Sequence, residues 1–314
     1  MLSQPGGCEI GPRPIDLHLR SLRELGANIE EKHGFLICEA KELKGAEIQL
    51  DFPSVGATEN IILSAVFAKG TTIIRNAAKE PEIIDLERFI NRMGGKVKGA
   101  GTATVTIEGV EKLHDVEHGI IPDRIVAGTY LVAAAITGGK IELTNVIPEH
   151  LQSVIYKLRE SGCRVDVKNR AISLEAPDKL ISIDSLKTLP YPGFPTDMQS
   201  QMMALMSVAD GISIFVETIF ENRFKHAEEL TRMGANIKVN GRIALIKGVK
   251  RLTGAKVTAK DLRGGAALIL AALAAEGETI IENIKHIDRG YDNIHGIIEG
   301  LGGKIIKRDT PIQD

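Results

Sequence analysis

One pattern recurs five times along the chain: an apolar helix-like run ends, a glycine follows, and a β-rich run begins. The glycines lie at positions 26, 94, 162, 234 and 302, so successive copies are 68, 68, 72 and 68 residues apart. Glycine at this place suits the left-handed residue that closes a helix. The period is longer than those of solenoid repeats and leaves room for several strands and helices. The chain is therefore predicted to be a series of similar α/β units.

Each copy has the same internal order of strands, helix, strand and helix. Two short β-rich runs follow the glycine, a helix begins at a capping residue, and an amphipathic helix closes the unit after a further strand. The predicted caps, whose side chains accept from free N–H groups, are Ser54, Asp123, Thr196 and Asp261. The capped helices are predicted to end at Gly70, Gly139, Gly211 and Gly277. The fold class is thus α/β, built from repeated strand-helix-strand-helix units.

Composition excludes several classes of function. The 39 basic and 41 acidic residues leave a formal charge of -2, so no overall field recruits nucleic acid. The longest apolar run, AALILAALAA from Ala266, is shorter than the roughly 20 residues that cross a bilayer, so no membrane partner is expected. Cys8, Cys38 and Cys163 have no CxxC spacing, which argues against a disulfide framework or zinc site and favours a reducing cytoplasm.

The opening loop, PGGCEIGPRPID, is the most reactive-looking stretch of the sequence. Exposed N–H groups around the glycines and the nearby Arg13 would favour the thiolate of Cys8, whereas Cys38 and Cys163 are interpreted as inert small hydrophobes. Two prolines stiffen the backbone around Arg13, a bidentate donor. A solvated loop that enters a helix, with Asp16 as its first-turn acid, is the alternative interpretation.

Other chemistry-bearing residues cluster in turns that lead into helices, where free N–H groups and the helix dipole favour anions. Asp197 follows Thr196 in FPTDMQSQ, and its simpler interpretation is that it complements the helix dipole. Arg223 and Arg289 occupy equivalent points of successive repeats, and Arg263 follows a helix cap. Each arginine alone is explained by a surface salt bridge, but together with Arg13 they suit one small polyanion.

An ordered set of motifs resembles a known family. PGGCEIGPRPIDLHL, SVGAT, EPEIID, PDRI, FPTDMQ, FENRF, DLRGGAAL and HIDRGY occur at matching separations, from Leu2 to about Lys307. They are similar to the enolpyruvyl transferases that act on UDP-N-acetylglucosamine at the start of bacterial peptidoglycan synthesis. The shikimate-pathway enolpyruvyl transferase shares the fold, but PGGC before GPRP is typical of the UDP-sugar branch.

The resemblance implies two domains, each an inside-out α/β barrel of such repeats, with the active site in the cleft between them. We expect residues 1–121 to form the first domain, incomplete, and residues 122–314 the second, without its N-terminal strand. The implied reaction moves the enolpyruvyl group of phosphoenolpyruvate to the 3-hydroxyl of UDP-N-acetylglucosamine and releases phosphate. It implies no metal, no organic cofactor and no particular oligomer.

The resemblance also implies a role for each matching residue. Cys8 would be the general acid toward the methylene carbon and the site of fosfomycin alkylation, Asp197 would accept the sugar hydroxyl proton, and Arg289 would complete the catalytic set. Arg263 and Arg289 would pair with the carboxylate and phosphate of phosphoenolpyruvate. The implied UDP-sugar or phosphoenolpyruvate contacts are Arg13, Pro14, Ile15, Asp16, Leu17, Ser54, Val55, Gly56, Ile219, Arg223 and Arg263. Phe52 departs from members that carry a lysine near the diphosphate.

By resemblance, relatives carry a further repeat before PGGC, with a catalytic lysine, an asparagine and another arginine. We therefore expect a shortened gene product with unpaired sheet edges and exposed apolar helix faces, prone to aggregation and of doubtful activity.

Two further classes of function stay open at the level of sequence. A non-catalytic UDP-sugar binding protein is disfavoured because binding alone does not require Cys8 and Asp197. A structural remnant without ligand would not bind UDP-N-acetylglucosamine. Within the transferase class, a shikimate-pathway relative is the alternative, and binding of shikimate 3-phosphate would identify it.

Overall fold

A computed structural model describes residues 2–3 and 15–308 of the chain. The described residues divide into two compact units. Unit 1 contains residues 2–3, 15–122 and Pro190–Gly193, and unit 2 contains Asp123–Leu189 and residues 194–308. That these units are the two transferase domains, with the predicted boundaries, stays a prediction. Every helix in the described part of the chain is too short or too polar to cross a membrane.

Unit 1 begins with a small three-stranded sheet and one helix. The helix is α1 (Asp16–Glu24), and the strands are β1 (Leu2–Ser3), β2 (Asn28–Lys32) and β3 (Phe35–Glu39). The strand order is β1-β3-β2, all antiparallel. Leu19 of α1 packs with Ile29 and Leu36 to form the local core.

The rest of unit 1 is a four-stranded sheet with two helices. Its elements in chain order are β4 (Glu47–Gln49), α2 (Val55–Ala65), β5 (Thr71–Arg75), α3 (Pro81–Arg92), β6 (Lys96–Lys98) and β7 (Thr104–Glu108). The strand order is β4-β5-β7-β6, in which β4 and β5 are parallel and the other pairs antiparallel. Ile48, Ile61 and Ile74 lie in its core, each at most 1% exposed.

Unit 2 contains three related segments. The first has α4 (Arg124–Ile136), β8 (Lys140–Thr144), α5 (Gln152–Glu160), β9 (Arg164–Lys168) and β10 (Ala171–Glu175). The second has β11 (Ser185–Lys187), α6 (Gln199–Met206), β12 (Ile212–Val216), α7 (His226–Arg232), β13 (Asn236–Asn240) and β14 (Ile243–Lys247). The third has β15 (Leu252–Thr253), β16 (Lys256–Thr258), α8 (Leu262–Ala274), β17 (Ala275–Glu276), β18 (Ile280–Glu282), α9 (Lys285–Asp288) and α10 (Ile294–Gly300).

The strand pairing confirms that the chain is built from repeated α/β segments. The sheet order β11-β12-β14-β13 in unit 2 reproduces β4-β5-β7-β6 in unit 1, including its one parallel pair. The sheet β8-β10-β9 has the same antiparallel core, and β16 pairs with β18 in parallel as β4 does with β5. A single sequence pattern therefore yields the same local topology several times.

The capped helices of unit 2 form its centre. All eight residues of α6, ten of the 13 in α4 and eight of the 13 in α8 are buried. Strands such as β10 and β14 alternate buried and more exposed residues, so each has one face toward the core. Because helices that are apolar on all sides must be buried, they take the interior while the strands are open to water on one face.

The five repeat glycines close their helices as predicted. Their φ angles lie between 90° and 97°, in the left-handed region that side chains with a Cβ rarely adopt. At the first of them, the N–H of Gly26 donates to the carbonyl of Arg23 and that of Ala27 to the carbonyl of Leu22, at 2.9 and 3.0 Å. These bonds satisfy carbonyls that the end of a helix leaves without partners.

Two groups of predicted helix boundaries were wrong. The capped helices end at Ala65, Ile136, Met206 and Ala274, a few residues before the predicted glycines. Thr196 does not cap α6, because a turn of 3-10 helix, Thr196–Met198, intervenes and the threonine hydroxyl bonds to Glu217 instead. Ser54, Asp123 and Asp261 do accept from N–H groups at the starts of α2, α4 and α8.

The buried position of α4 predicts the cost of opening a cavity there. Leu131 is 0% exposed in α4, whereas Leu63 on α2 is 54% exposed. We expect Leu131→Ala to lower the free energy of unfolding by about 2–5 kcal/mol, because a buried cavity replaces the lost side chain. Leu63→Ala, the matched control, should change it by less than about 1 kcal/mol. Equal shifts of the two denaturant midpoints would contradict this account of the core.

Candidate active site

Asp197 is held between two arginines in unit 2. It lies in the 3-10 turn Thr196–Met198, directly before α6. Its Oδ1 accepts from Nη2 of Arg223 at 2.8 Å, and its Oδ2 accepts from Nη2 and Nε of Arg263 at 3.2 and 3.3 Å. The folded chain thus joins three residues that the sequence analysis singled out separately.

The charges in this cluster are strongly coupled. The side chains of Arg223 and Arg263 are 4% and 12% exposed, while that of Asp197 is 41% exposed. Burial alone would raise the pKa of Asp197, but Arg223 and Arg263, helped by Arg124, hold it below its ordinary value. Asp197 is therefore an ionised but weakly basic carboxylate as long as both guanidinium groups face it.

The guanidinium groups retain donors beyond those given to Asp197. Nε of Arg223 and Nη1 of Arg263 are buried and have no hydrogen-bond partner within residues 2–3 and 15–308. An arginine presents five N–H donors in a fixed plane, which suits carboxylate and phosphate oxygens. Each guanidinium group therefore has one N–H donor without a partner among the described residues, of the kind that binds carboxylate and phosphate oxygens.

A buried polar network fixes the position of Arg263. Its backbone N–H donates to Oδ1 of Asp261, the cap of α8, at 3.1 Å. Its guanidinium carbon lies 5.4 Å from the centre of the Tyr291 ring, a cation–π distance. The Tyr291 hydroxyl lies 2.9 Å from that of Thr129 and accepts from the Gln201 amide at 3.3 Å. Residues of α4, α6 and α8 and the loop after α9 thus converge on one arginine.

His226, at the start of α7, adds a buried titratable group near the cluster. Burial lowers its pKa to about 4, and Arg223 contributes in the same direction although Asp261 opposes it. Its Nδ1 lies 3.4 Å from the hydroxyl of Ser200. The imidazole is therefore neutral at physiological pH and adds no further positive charge next to the arginines.

Ile219 and Arg289 are placed differently from the arginine cluster. Ile219 lies in the turn after β12, and its backbone N–H donates to Oε1 of Glu217 at 2.8 Å. Arg289 is exposed at the C-terminal end of α9. It is two residues before Tyr291, whose ring packs on Arg263. Each residue is thus close in sequence to a buried polar residue, Glu217 or Tyr291, and neither has a described hydrogen bond to Asp197.

Unit 1 brings together two of the segments predicted to contact the UDP-sugar. Asp16 is exposed in the first turn of α1, while Ile15 and Leu17 pack partly against the core. Directly after Leu17, the ring of His18 packs against Gly56 so closely that a Cβ there would lie 3.2 Å from it. Glycine at position 56 therefore lets the starts of α1 and α2 approach each other.

The start of α2 presents backbone donors. The Ser54 hydroxyl accepts from the N–H of Ala57 at 3.3 Å and so caps the helix. The N–H groups of Val55 and Gly56 belong to the first turn, where no carbonyl lies four residues earlier in the helix. A phosphate group suits such a position. Cys8, Arg13 and Pro14 lie outside the described residues.

The buried polar residues around the arginines were not predicted from the sequence. Thr129, Gln201, Glu217, His226 and Tyr291 are all buried and polar or partly polar. The sequence contains one indication of them, since Thr129 is a polar residue in the largely apolar helix α4 and Gln201 directly precedes the apolar run MMALM in α6. A polar side chain there must find a buried partner, but the sequence does not tell which one.

Comparisons with known proteins agree with this architecture. A family model described as EPSP synthase (3-phosphoshikimate 1-carboxyvinyltransferase) matches residues 2–298. A UDP-N-acetylglucosamine 1-carboxyvinyltransferase 2 from Caldanaerobacter subterraneus subsp. tengcongensis is 56% identical over 306 residues, 98% of this chain and 73% of that protein. A UDP-N-acetylglucosamine 1-carboxyvinyltransferase 1 from Symbiobacterium thermophilum is 58% identical over 305 residues, 97% of this chain and 69% of that protein.

Solved structures confirm the expected fold. The enolpyruvyl transferase NikO from Streptomyces tendae superposes with a TM-score of 0.85 at 26% identity, covering 93% of this chain and 72% of that one. An EPSP synthase from Acinetobacter baumannii has a TM-score of 0.70 at 20% identity, covering 94% of this chain and 72% of that one, and supports the fold alone.

The buried His226 predicts how stability depends on pH. Its pKa is about 4 in the folded chain against an ordinary value of 6.5, so between these values the unfolded chain binds the proton first. Stability should therefore fall as the pH drops through this window, by up to about 1.4 kcal/mol per pH unit from this residue. In His226→Asn the free energy of unfolding should depend less steeply on pH. Denaturant unfolding at several pH values measures this dependence.

His33→Asn is the matched control, because His33 is exposed. In His33→Asn the free energy of unfolding should depend on pH as steeply as in the unchanged protein. Parallel slopes for His226→Asn and His33→Asn would show that His226 is not held neutral by burial.

Proposed function

Because the chain belongs to the enolpyruvyl transferase family, among the UDP-N-acetylglucosamine 1-carboxyvinyltransferases, we propose that it transfers enolpyruvyl from phosphoenolpyruvate to the 3-hydroxyl of UDP-N-acetylglucosamine. Phosphate is released, and the product is committed to peptidoglycan and hence to the cell wall. We also propose a cytoplasmic location in bacteria, which the cysteine spacing favours. The observation that carries the proposal is the carboxylate of Asp197 held between two buried guanidinium groups that keep spare donors.

The reaction needs an acid and a base on the two reacting groups. The 3-hydroxyl oxygen bonds to C2 of phosphoenolpyruvate, its proton passes to Asp197, and the methylene carbon gains a proton from Cys8. In the second step the bond from C2 to the phosphate oxygen breaks, the departing phosphate takes the proton held by Asp197, and the methyl carbon returns a proton to the Cys8 thiolate as the new enol ether forms. Asp197 and Cys8 hold these roles in the proposal through their motifs.

The arginines bind the anionic substrate and change the basicity of Asp197. In the proposal, Arg223, Arg263 and Arg289 receive the carboxylate and phosphate of phosphoenolpyruvate, and so does Arg13. A bound trianion neutralises the positive charge that lowers the pKa of Asp197. The pKa then rises, because the burial that opposes the arginines remains. Binding of one substrate thus makes the carboxylate a better base toward the other.

Residues of unit 1 are assigned to the UDP-sugar. The first-turn N–H groups of Val55 and Gly56, with the cap Ser54, suit the diphosphate. Ile15, Asp16 and Leu17, with Arg13 and Pro14 before them, are assigned to the nucleotide and sugar. In unit 2, Ile219 is assigned an apolar or backbone contact to the same substrate.

The first test is turnover by the full chain. Phosphate release from phosphoenolpyruvate should depend on UDP-N-acetylglucosamine and should not occur with shikimate 3-phosphate in its place. Asp197→Asn should lower kcat about 10²–10⁴-fold, the usual contribution of a general base. The affinity of Asp197→Asn for UDP-N-acetylglucosamine, measured by calorimetry, should differ only a few-fold from that of the unchanged chain.

Phosphate release that needs shikimate 3-phosphate would assign the chain to the other branch. UDP-sugar binding without any turnover would favour the non-catalytic binding protein. An Asp197→Asn variant as active as the unchanged chain would remove Asp197 from the mechanism.

A second test addresses the two proposed roles of Arg263, which are to pair with Asp197 and to bind the anionic substrate. Its Nε and Nη2 face Asp197 while Nη1 has no partner in the described residues. A lysine has one point charge and cannot serve a carboxylate and a second anion in this planar geometry. Arg263→Lys should therefore raise KM for phosphoenolpyruvate by roughly 10- to 100-fold, with little change in UDP-sugar affinity.

Arg251→Lys is the matched control, since the Arg251 side chain is 63% exposed and pairs with Glu276. Arg251→Lys should leave both KM for phosphoenolpyruvate and the affinity for the UDP-sugar unchanged. If Arg263→Lys behaves like Arg251→Lys, the proposed anion site is wrong.

A further inference from the structure

Glu217 is a buried carboxylate that the mechanism above does not use. It follows the last residue of β12 and is 1% exposed. A buried carboxylate is costly unless its oxygens accept hydrogen bonds. Its donors among the described residues are neutral hydroxyl and backbone N–H groups rather than cations.

Four hydrogen bonds converge on this side chain. Oε1 accepts from the Thr188 hydroxyl at 2.9 Å and from the N–H groups of Ile219 and Phe220 at 2.8 and 3.2 Å. Oε2 accepts from the Thr196 hydroxyl at 3.0 Å. One carboxylate therefore joins the segment after β11, the turn before α6 and the turn after β12.

The two oxygens face two functional segments. Thr196, bound to Oε2, is the residue directly before Asp197. The turn bound to Oε1 carries Ile219, the proposed UDP-sugar contact. The arrangement therefore couples the proposed base to the proposed sugar-binding turn through a single side chain.

A second path joins the same segments on the other side of Asp197. The ring of Phe220 lies 5.5 Å from the guanidinium carbon of Arg223. Arg223 in turn donates to Oδ1 of Asp197 at 2.8 Å. The turn after β12 thus restrains the Asp197 backbone through Thr196 and its carboxylate through Arg223.

We propose that Glu217 is a positioning residue for enolpyruvyl transfer: it fixes the turn that carries Asp197 against the turn that contacts the UDP-sugar. This inference rests on the proposed function. A misplacement of about 1 Å between a base and the proton it takes lowers a rate by about 100-fold, so such a link has a kinetic consequence separate from its stabilising effect.

Thr196→Val isolates the link, because it removes the hydroxyl that reaches Glu217 while nearly preserving the volume. We expect kcat to fall about 10- to 100-fold, with KM for UDP-N-acetylglucosamine changed less than about threefold. Thr196→Ser keeps the hydroxyl and should retain most of the activity. Thr231→Val is the matched control, since the Thr231 hydroxyl bonds only to the Ala227 carbonyl of α7 among the described residues.

Glu217→Gln tests the carboxylate itself. The amide nitrogen can only donate, so it must face Thr196, whose hydroxyl can turn and accept, rather than the two backbone N–H groups. We expect a milder loss of kcat than in Thr196→Val. A mainly structural role would instead give lower unfolding midpoints with the kinetics of both variants unchanged, and that result would overturn the inference.

Amide hydrogen exchange of the ligand-free chain separates this inference from the proposed function. In Thr196→Val, exchange should rise several-fold at residues 194–198 and 217–220 together, and in Thr231→Val at neither. Coupled exchange in a chain that fails to release phosphate would retain the mechanical link and reject the transferase. Turnover in the unchanged chain with no coupled exchange and no kcat loss in Thr196→Val would reject the link alone.

Discussion

Unit 2 depends on the pairing of one carboxylate with two guanidinium groups that are almost completely out of water. The central helices α4 and α8 are apolar on nearly all sides and α6 is entirely buried, so charge is tolerated only at their ends. Asp197 lies at the entry to α6, and Arg263 in the first turn of α8. Removing Asp197 would leave two buried guanidinium groups without the carboxylate that they face, so both arginines depend on it.

Much of the architecture could be predicted from sequence because its signals are local. A helix that ends at a left-handed glycine needs only a few neighbouring residues, and the repeat glycines adopted that conformation in every copy. Asp123 and Asp261 could be identified as caps for the same reason. The prediction for Thr196 was wrong because the hydroxyl had a competing partner in Glu217, 21 residues away. A cap preference is a local tendency that a buried acceptor elsewhere in the fold overrides.

The residues of the candidate site likewise differ in how far they could be predicted from the sequence. Asp197, Arg223 and Arg263 were found because chemistry-bearing residues cluster in the turns that lead into helices, and the arginines recur in corresponding turns of the repeats. Their supports were not found, because a bond such as that between Thr129 and Tyr291 joins residues 162 positions apart. No sequence pattern around Thr129 or Tyr291 predicts that the two side chains meet. It follows from how α4, α6 and the loop after α9 pack, which is a property of the assembled core.

The arginine pairing also gives the proposed reaction an order. A carboxylate that faces two cations is a weak base, so the ligand-free chain holds Asp197 in a state unsuited to accepting a proton. An anion that takes over the spare donors of Arg223 and Arg263 weakens this hold, and the burial that opposes it then dominates. In the proposed reaction, the basicity of Asp197 thus increases when phosphoenolpyruvate binds. A neutral His226 is part of the same balance, because a further cation beside Arg223 would lower the pKa of Asp197 more, and substrate binding would have to reverse that shift as well.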